Sequence, residues 1–256
     1  MYHYTSEFLE SLGYKIITID FRNPLKSSRY NFLQPVIDAV NKNDYRKAEE
    51  LCWDITQALV GNEETKMEKI WKDGEMSVIA GAIMSVVFDN KNEPQYQNLT
   101  NVYAFINEMC RPVGNTMPIN KYIEGLKPEH PASSVFGVAR IAPEKTRGSF
   151  FTSALATLRL FTSKSTYTMT CQSDFNLTDI GKEKVAVYII LPDEKTTYYP
   201  IASLFVYQNY VALANFADEM GGELPVRVNY ILDEFRKLYT NSSIFKYDDC
   251  ISRKKN

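Results

Sequence analysis

The chain of 256 residues carries 29 basic and 31 acidic side chains, a net charge of −2 and an isoelectric point near 5.8, so no global basic field faces a nucleic-acid backbone. Hydrophobic residues at 45% and charged residues at 23% are ordinary for a globular protein of one large or two small domains. A free-standing DNA binder is therefore a poor default, while a local basic patch or a ring with a basic channel stays open.

Phe8, Leu9 and Leu12 recur in an otherwise polar stretch closed by Gly13, which predicts a short helix over residues 3–12. Tyr14 to Ile19 is a β-branched run ended by Asp20 and reads as a strand. Pro24 and Pro35 argue against regular structure running through them. Helices are predicted over Asp44–Val60, Met67–Phe88, Leu99–Met109 and Ile119–Leu126. In the second of these Ile79, Ala82, Ile83, Val86 and Val87 form an apolar stripe, with Trp71 expected on the same inward side. Gly74 and Gly81 each cost a helix about 1 kcal/mol relative to Ala, so close helix packing is the expected reason for them. Pro143 is placed at the first position of a helix whose apolar face runs from Phe150 to Phe161. Thr166–Thr170 and Val185–Leu191 read as strands, Pro200–Glu219 as a helix and Val226–Leu232 as a last strand. Strands alternating with helices predict an α/β fold with a parallel sheet, interrupted by an all-helical insertion.

The last strand ends in Asp233-Glu234. Acidic residues are depleted in strands, and ligands of open α/β sheets sit outside the carboxyl ends of the strands. An Asp there can hold Mg²⁺ and a following Glu can polarise a water, the Walker B pattern. The plainer alternative is a strand that runs into a solvated loop. Asp193-Glu194 repeats the pattern after Val185–Leu191, with Pro192 favouring a polar turn.

Several pieces occur in an ordered series: Leu12-Gly13-Tyr14, Arg22-Asn23-Pro24, Ser28-Arg29-Tyr30-Asn31, Val185–Glu194, Tyr199–Phe205, Leu224-Pro225 and Asp233-Glu234-Phe235. In that order, over roughly residues 1–235, the chain resembles the conjugative DNA-transfer ATPases of type IV secretion, the TraG-like coupling proteins. The resemblance implies a partial RecA-like P-loop NTPase domain over residues 1–66 and 140–235, with an all-α insertion over 67–139. It implies ATP and Mg²⁺ as cofactors of the intact family member, with Asp233 as Mg²⁺ partner and Glu234 as general base. It also implies single-stranded DNA, a relaxase and secretion-channel proteins as partners, a homo-hexamer, and a place on the cytoplasmic side of the bacterial inner membrane. Arg140, Arg147 and Arg159 stand near the return from the insertion, where an arginine finger would come from; a surface or salt-bridging role is the plainer reading of each.

Other features bound the reading. No GxxxxGK[ST] occurs, so nothing in these residues cradles β- and γ-phosphates as a P-loop does. The expectation is a fragment inactive by itself that binds no nucleotide tightly. The family's membrane helices are also missing, since no apolar stretch approaches about 18 residues and Met1-Tyr2-His3-Tyr4 is no signal peptide; a cytoplasmic, monomeric fragment is expected. Cys52, Cys110, Cys171 and Cys250 form no CxxC and read as reduced thiols, and His3 and His130 are too few for a His-based metal site. After Phe235 the resemblance predicts Gly-Asn, where Arg236-Lys237 stands. Codons can be chosen for the tail that restore Gly-Asn-Phe-Thr-Gln-Ile-Pro in the next frame, so residues 236–256 are expected to be a disordered or frameshifted tail. The competing reading is a non-enzymatic module that docks a secretion substrate through its helical insertion.

Overall fold

In the computed structural model of the protein, the described residues are 2–61, 66–192, 194 and 196–231. They are mostly helical, with one small parallel sheet, and fall into two compact units: residues 1–23 with 175–256, and residues 24–174.

The first unit holds α1 (Tyr2–Ser11), β1 (Lys15–Asp20), α11 (Asp179–Lys182), β2 (Val185–Ile190) and α12 (Tyr199–Glu219). Gly13 turns the chain from α1 into β1 with φ of 82°, a left-handed conformation that glycine adopts without steric cost. β1 and β2 pair in parallel from Lys15 opposite Val185 to Asp20 opposite Ile190. Ile17 and Ile19 point into the core, while every residue of β2 is half-buried. On the sheet, Thr5 and Tyr188 share a hydroxyl hydrogen bond of 2.7 Å and Tyr2 meets the Tyr188 ring edge-on. In α12, Ile201, Ala202, Leu204 and Phe205 are buried.

The second unit is helical. Its elements are α2 (Gln34–Asn41), α3 (Tyr45–Val60), α4 (Lys66–Asp89), α5 (Leu99–Met109), α6 (Pro118–Gly125), α7 (Ala132–Val135), α8 (Gly137–Ile141), α9 (Glu144–Leu158) and α10 (Lys164–Thr170). α4 is the central post, packed by α2, α3, α5, α7, α8 and α9. Val78 to Val87 are consequently buried on every side of the helix, a wider burial than one stripe. The chain enters and leaves this unit through a clasp. Asp174 donates its amide to the Arg29 carbonyl (3.0 Å), its carboxylate accepts from the Arg29 amide (2.9 Å) and guanidinium (2.7 Å), and Asn31 donates its amide to Ser173 Oγ (3.0 Å).

Four sequence expectations are corrected. Thr166–Thr170 is helical, not a strand: Ser163 caps α10 by accepting from the Thr166 amide, and the Thr168 and Thr170 hydroxyls bond back to the carbonyls four residues earlier. Pro35 does not exclude a helix; it lies in the first turn of α2, where its missing N–H costs nothing. Pro143 is the N-cap of α9 and not its first residue. Trp71, expected inward, is 47% exposed, although its ring meets that of Phe150 in a T-shaped contact.

Candidate functional site at the carboxyl end of the parallel strands

Both strands of the sheet finish at the same end, which in open α/β sheets is where ligands bind. Asp20, the last residue of β1, accepts from the amides of Arg22 (2.8 Å) and Asn23 (3.0 Å) on one carboxylate oxygen. That capture turns the chain sharply out of the strand. The Arg22 guanidinium then donates through Nε to the carbonyl of Leu191 (2.8 Å), just past β2, and the Phe21 amide donates to the Ile190 carbonyl (2.9 Å). The two strand ends are therefore tied by a side chain as well as by the ladder. Phe21 and Tyr198 pack ring against ring at the same end. Arg22 and Asn23 are exposed there, as is Glu194. The Arg22 guanidinium is thus engaged by the β2 end and the Asp20 carboxylate by the turn.

The predicted acids Asp233 and Glu234, with all of residues 232–256, lie outside the described residues, and so does Asp193. The approach to Asp233 is described. Residues 226–231, expected as a strand, have no ladder; the segment is held at points instead. The Val226 amide donates to the Gly181 carbonyl (3.0 Å), and the Tyr230 hydroxyl donates to Oδ1 of the buried Asn209 on α12 (2.6 Å). Burial pushes the Tyr230 hydroxyl above its ordinary pKa, so it stays a neutral donor at physiological pH. Leu224 packs at Gly181, where an added Cβ would come within 3.0 Å of it. Among the described residues no group of three His, Cys, Asp or Glu side chains could hold a metal ion.

The three arginines considered as fingers all lie in the helical unit. Arg147 is 5% exposed and donates to Asn120, to Glu124 (3.0 Å) and to the carbonyls of Arg140 and Ala142. This is the salt-bridging role, in a structural network. Arg140 donates to the Ile123 carbonyl and to Ser133, and Arg159 is exposed. Sequence reasoning missed the burial of Arg147, because its partners come from α6, more than twenty residues away. It also missed the clasp between Arg29 and Asp174, which no local pattern marks.

The model of the family described as Type IV secretory system Conjugative DNA transfer matches residues 1–240. Over 225 residues, 88% of this chain, the sequence is 20% identical to the type IV secretion system-coupling protein VirD4 of Bartonella henselae (strain ATCC 49882 / DSM 28221 / CCUG 30454 / Houston 1). The chain spans about a third of that relative, 34% of its length. With nearly its whole length matched, the chain belongs to the type IV secretory system conjugative DNA-transfer family of coupling proteins.

Proposed function

We propose that the chain is part of an ATP-driven motor that passes DNA to a type IV secretion channel. The observation that carries this reading is the family match over residues 1–240, which runs through the strand pair, the helical unit and Asp233-Glu234 alike. In this reading residues 1–66 and 140–235 form a partial RecA-like domain, and residues 67–139, which lie within the helical unit, are the family's all-α insertion. The intact protein is a homo-hexamer at the inner membrane that works on single-stranded DNA delivered with a relaxase. The geometry supports it at the strand ends, which finish together at one edge of the parallel pair. No helix among the described residues is long and apolar enough to cross a membrane.

ATP with Mg²⁺ supplies an activated phosphoryl group whose charge the metal neutralises. Asp20 does not suit the metal, because its oxygens serve the turn into Arg22 and Asn23. Asp233 is the residue assigned to Mg²⁺ and Glu234 the base that orients the attacking water. The sequence contains no phosphate-cradling glycine loop, so the chain alone is expected to release no phosphate above background. Joined behind a GxxxxGK[ST]-bearing segment of a coupling protein, it should hydrolyse ATP. Glu234→Gln should then lower turnover by about a hundredfold or more while nucleotide binding persists. Hydrolysis retained in that variant removes Glu234 from its role. A joined protein that folds but binds no Mg·ATP favours the non-enzymatic docking module instead.

A further inference from the structure

We propose that the outward surface of α9, together with the turn and helix that follow it, is a binding surface for single-stranded nucleic acid. The chain as a whole is slightly acidic, yet between Glu144 and Asp174 there is no Asp or Glu, while Lys145, Arg147, Arg159 and Lys164 fall in that interval. Arg147 is turned inward and paired with Glu124, which leaves the other three at the surface. After Glu144, the exposed residues of α9 are Lys145, Ser149, Thr152 and Ala156, and Arg159 continues the series. Those intervals of three and four place them on one face of the helix. At 1.5 Å per residue, Lys145 and Arg159 stand about 21 Å apart, a span of several nucleotides. Lys164 and Tyr167 on α10 extend the surface, and Tyr167 offers a ring that is 40% exposed. Lys26, exposed on the short 3-10 turn Pro24–Lys26 that packs against α10, adds a further cation.

Acids on the packed neighbours are largely engaged elsewhere. Glu75 of α4 accepts from Thr157, and burial raises its carboxyl pKa toward the neutral form. Glu108 of α5 pairs with Arg111 and Asp174 pairs with Arg29; Glu144, exposed at the start of α9 beside Lys145, accepts from Asn120, and Asp73 of α4 is exposed as well. Cations spaced along small hydroxylated residues match the way proteins hold phosphates, and an exposed tyrosine beside a lysine matches base stacking. The stripe lacks the large apolar side chains with which an amphipathic helix enters a lipid surface. A duplex keeps its bases stacked inside and gives Tyr167 nothing to stack on, so the unpaired strand is the better fit.

The proposal rests on the DNA-transfer reading only for the choice of nucleic acid among polyanions, and its test needs no hydrolysis. Fluorescence anisotropy with a labelled oligothymidine of about 20 nucleotides measures affinity across a salt series. Changing Lys145, Arg159 and Lys164 together to Gln should flatten the slope of log affinity against log salt by about 2, at about 0.7 per cation. The matched control, Lys42, Arg46 and Lys91 to Gln, should leave it unchanged, with far-UV circular dichroism showing both variants folded. Tyr167→Ala should weaken binding at least about fivefold. An unaltered slope in the first variant overturns this surface while leaving a DNA-transfer role intact. No binding by the wild-type chain overturns it as well, and so does equal affinity for phosphatidylglycerol vesicles that Tyr167→Ala does not change.

Discussion

At the scale of single residues, the glycines of α4 set how closely its neighbours approach it. Gly81 has no Cβ because the Phe136 ring occupies its place, and a Cβ built there would lie 2.6 Å from the ring. Gly74 meets the Phe150 ring in the same way. Two glycines inside an otherwise strong helical pattern signalled close packing before any partner was known. Gly81→Ala should therefore destabilise the protein by up to about 2 kcal/mol, since overpacking of about 1–3 kcal/mol is offset only in part by the helix-propensity gain of about 1 kcal/mol. Urea unfolding checks it, and a variant more stable than wild type would show that Phe136 yields. Trp71 was misjudged because a helix this long is covered unevenly along its length: Val78 to Val87 are enclosed, whereas Trp71 lies a turn or more nearer the open end. Arg147 could not be read as buried, because burial depends on Asn120, Glu124 and two carbonyls that the fold alone brings together.

At the scale of elements, those with an unbroken apolar period were read to within a residue or two. α5 matches its expected bounds, Leu99–Met109, because Asn98 caps it by accepting from the Asn101 amide and Val102 and Ile106 are spaced for one buried face. α10 was misread because Thr and Tyr favour strands on average, while a single Ser163 cap and two hydroxyl back-bonds decide the local outcome. The last expected strand failed for a different reason. Its composition suits a sheet, but its first amide is taken by Gly181 and its tyrosine by Asn209, so among residues 226–231 no ladder forms. α4 is the element on which the helical unit depends. Val87 is fully buried within it, and Gln97 donates to its carbonyl. Val87→Asp places an unpaired charge there and should cost about 4 kcal/mol or more, seen as loss of the cooperative thermal transition at neutral pH. An unchanged midpoint would mean that the helix is not enclosed.

At the scale of the whole molecule, the alternation of strands and helices revealed a parallel pair enclosing a helical excursion, and the motif order revealed the family. The contacts that close the excursion are not visible in the sequence, because Arg29 and Asp174 are 145 positions apart and Asp174 stands in no motif. The Arg29 guanidinium, donating to the carboxylate, holds Asp174 below the ordinary carboxylate pKa. A depressed carboxylate adds stability that is complete above its unfolded pKa, near 3.9, and is lost as pH falls through the folded value. Asp174→Asn should thus lower the thermal midpoint by a constant amount above about pH 5, with the gap closing below about pH 4. Both partners are more than a third exposed, so added salt should narrow the gap as well. A gap that persists at pH 2 would assign the effect to the amide contacts instead of the charge.

The pairing of β1 with β2 also has a consequence in time. Lys15 leaves the ribosome 170 positions ahead of Val185, its partner in the ladder. At about 5–20 residues per second, β1 waits roughly 8–34 s with its hydrogen-bonding edge unmet. The helical unit is complete as far as Asp174 before any of β2 has been made, and its own contacts need nothing from the strands within it. Vectorial synthesis therefore completes residues 24–174 before β1 and β2 can pair. The nascent β1, Lys-Ile-Ile-Thr-Ile-Asp, is a short β-branched edge of the kind that pairs indiscriminately, and it is bounded at both ends by a charge that discourages such pairing until β2 arrives.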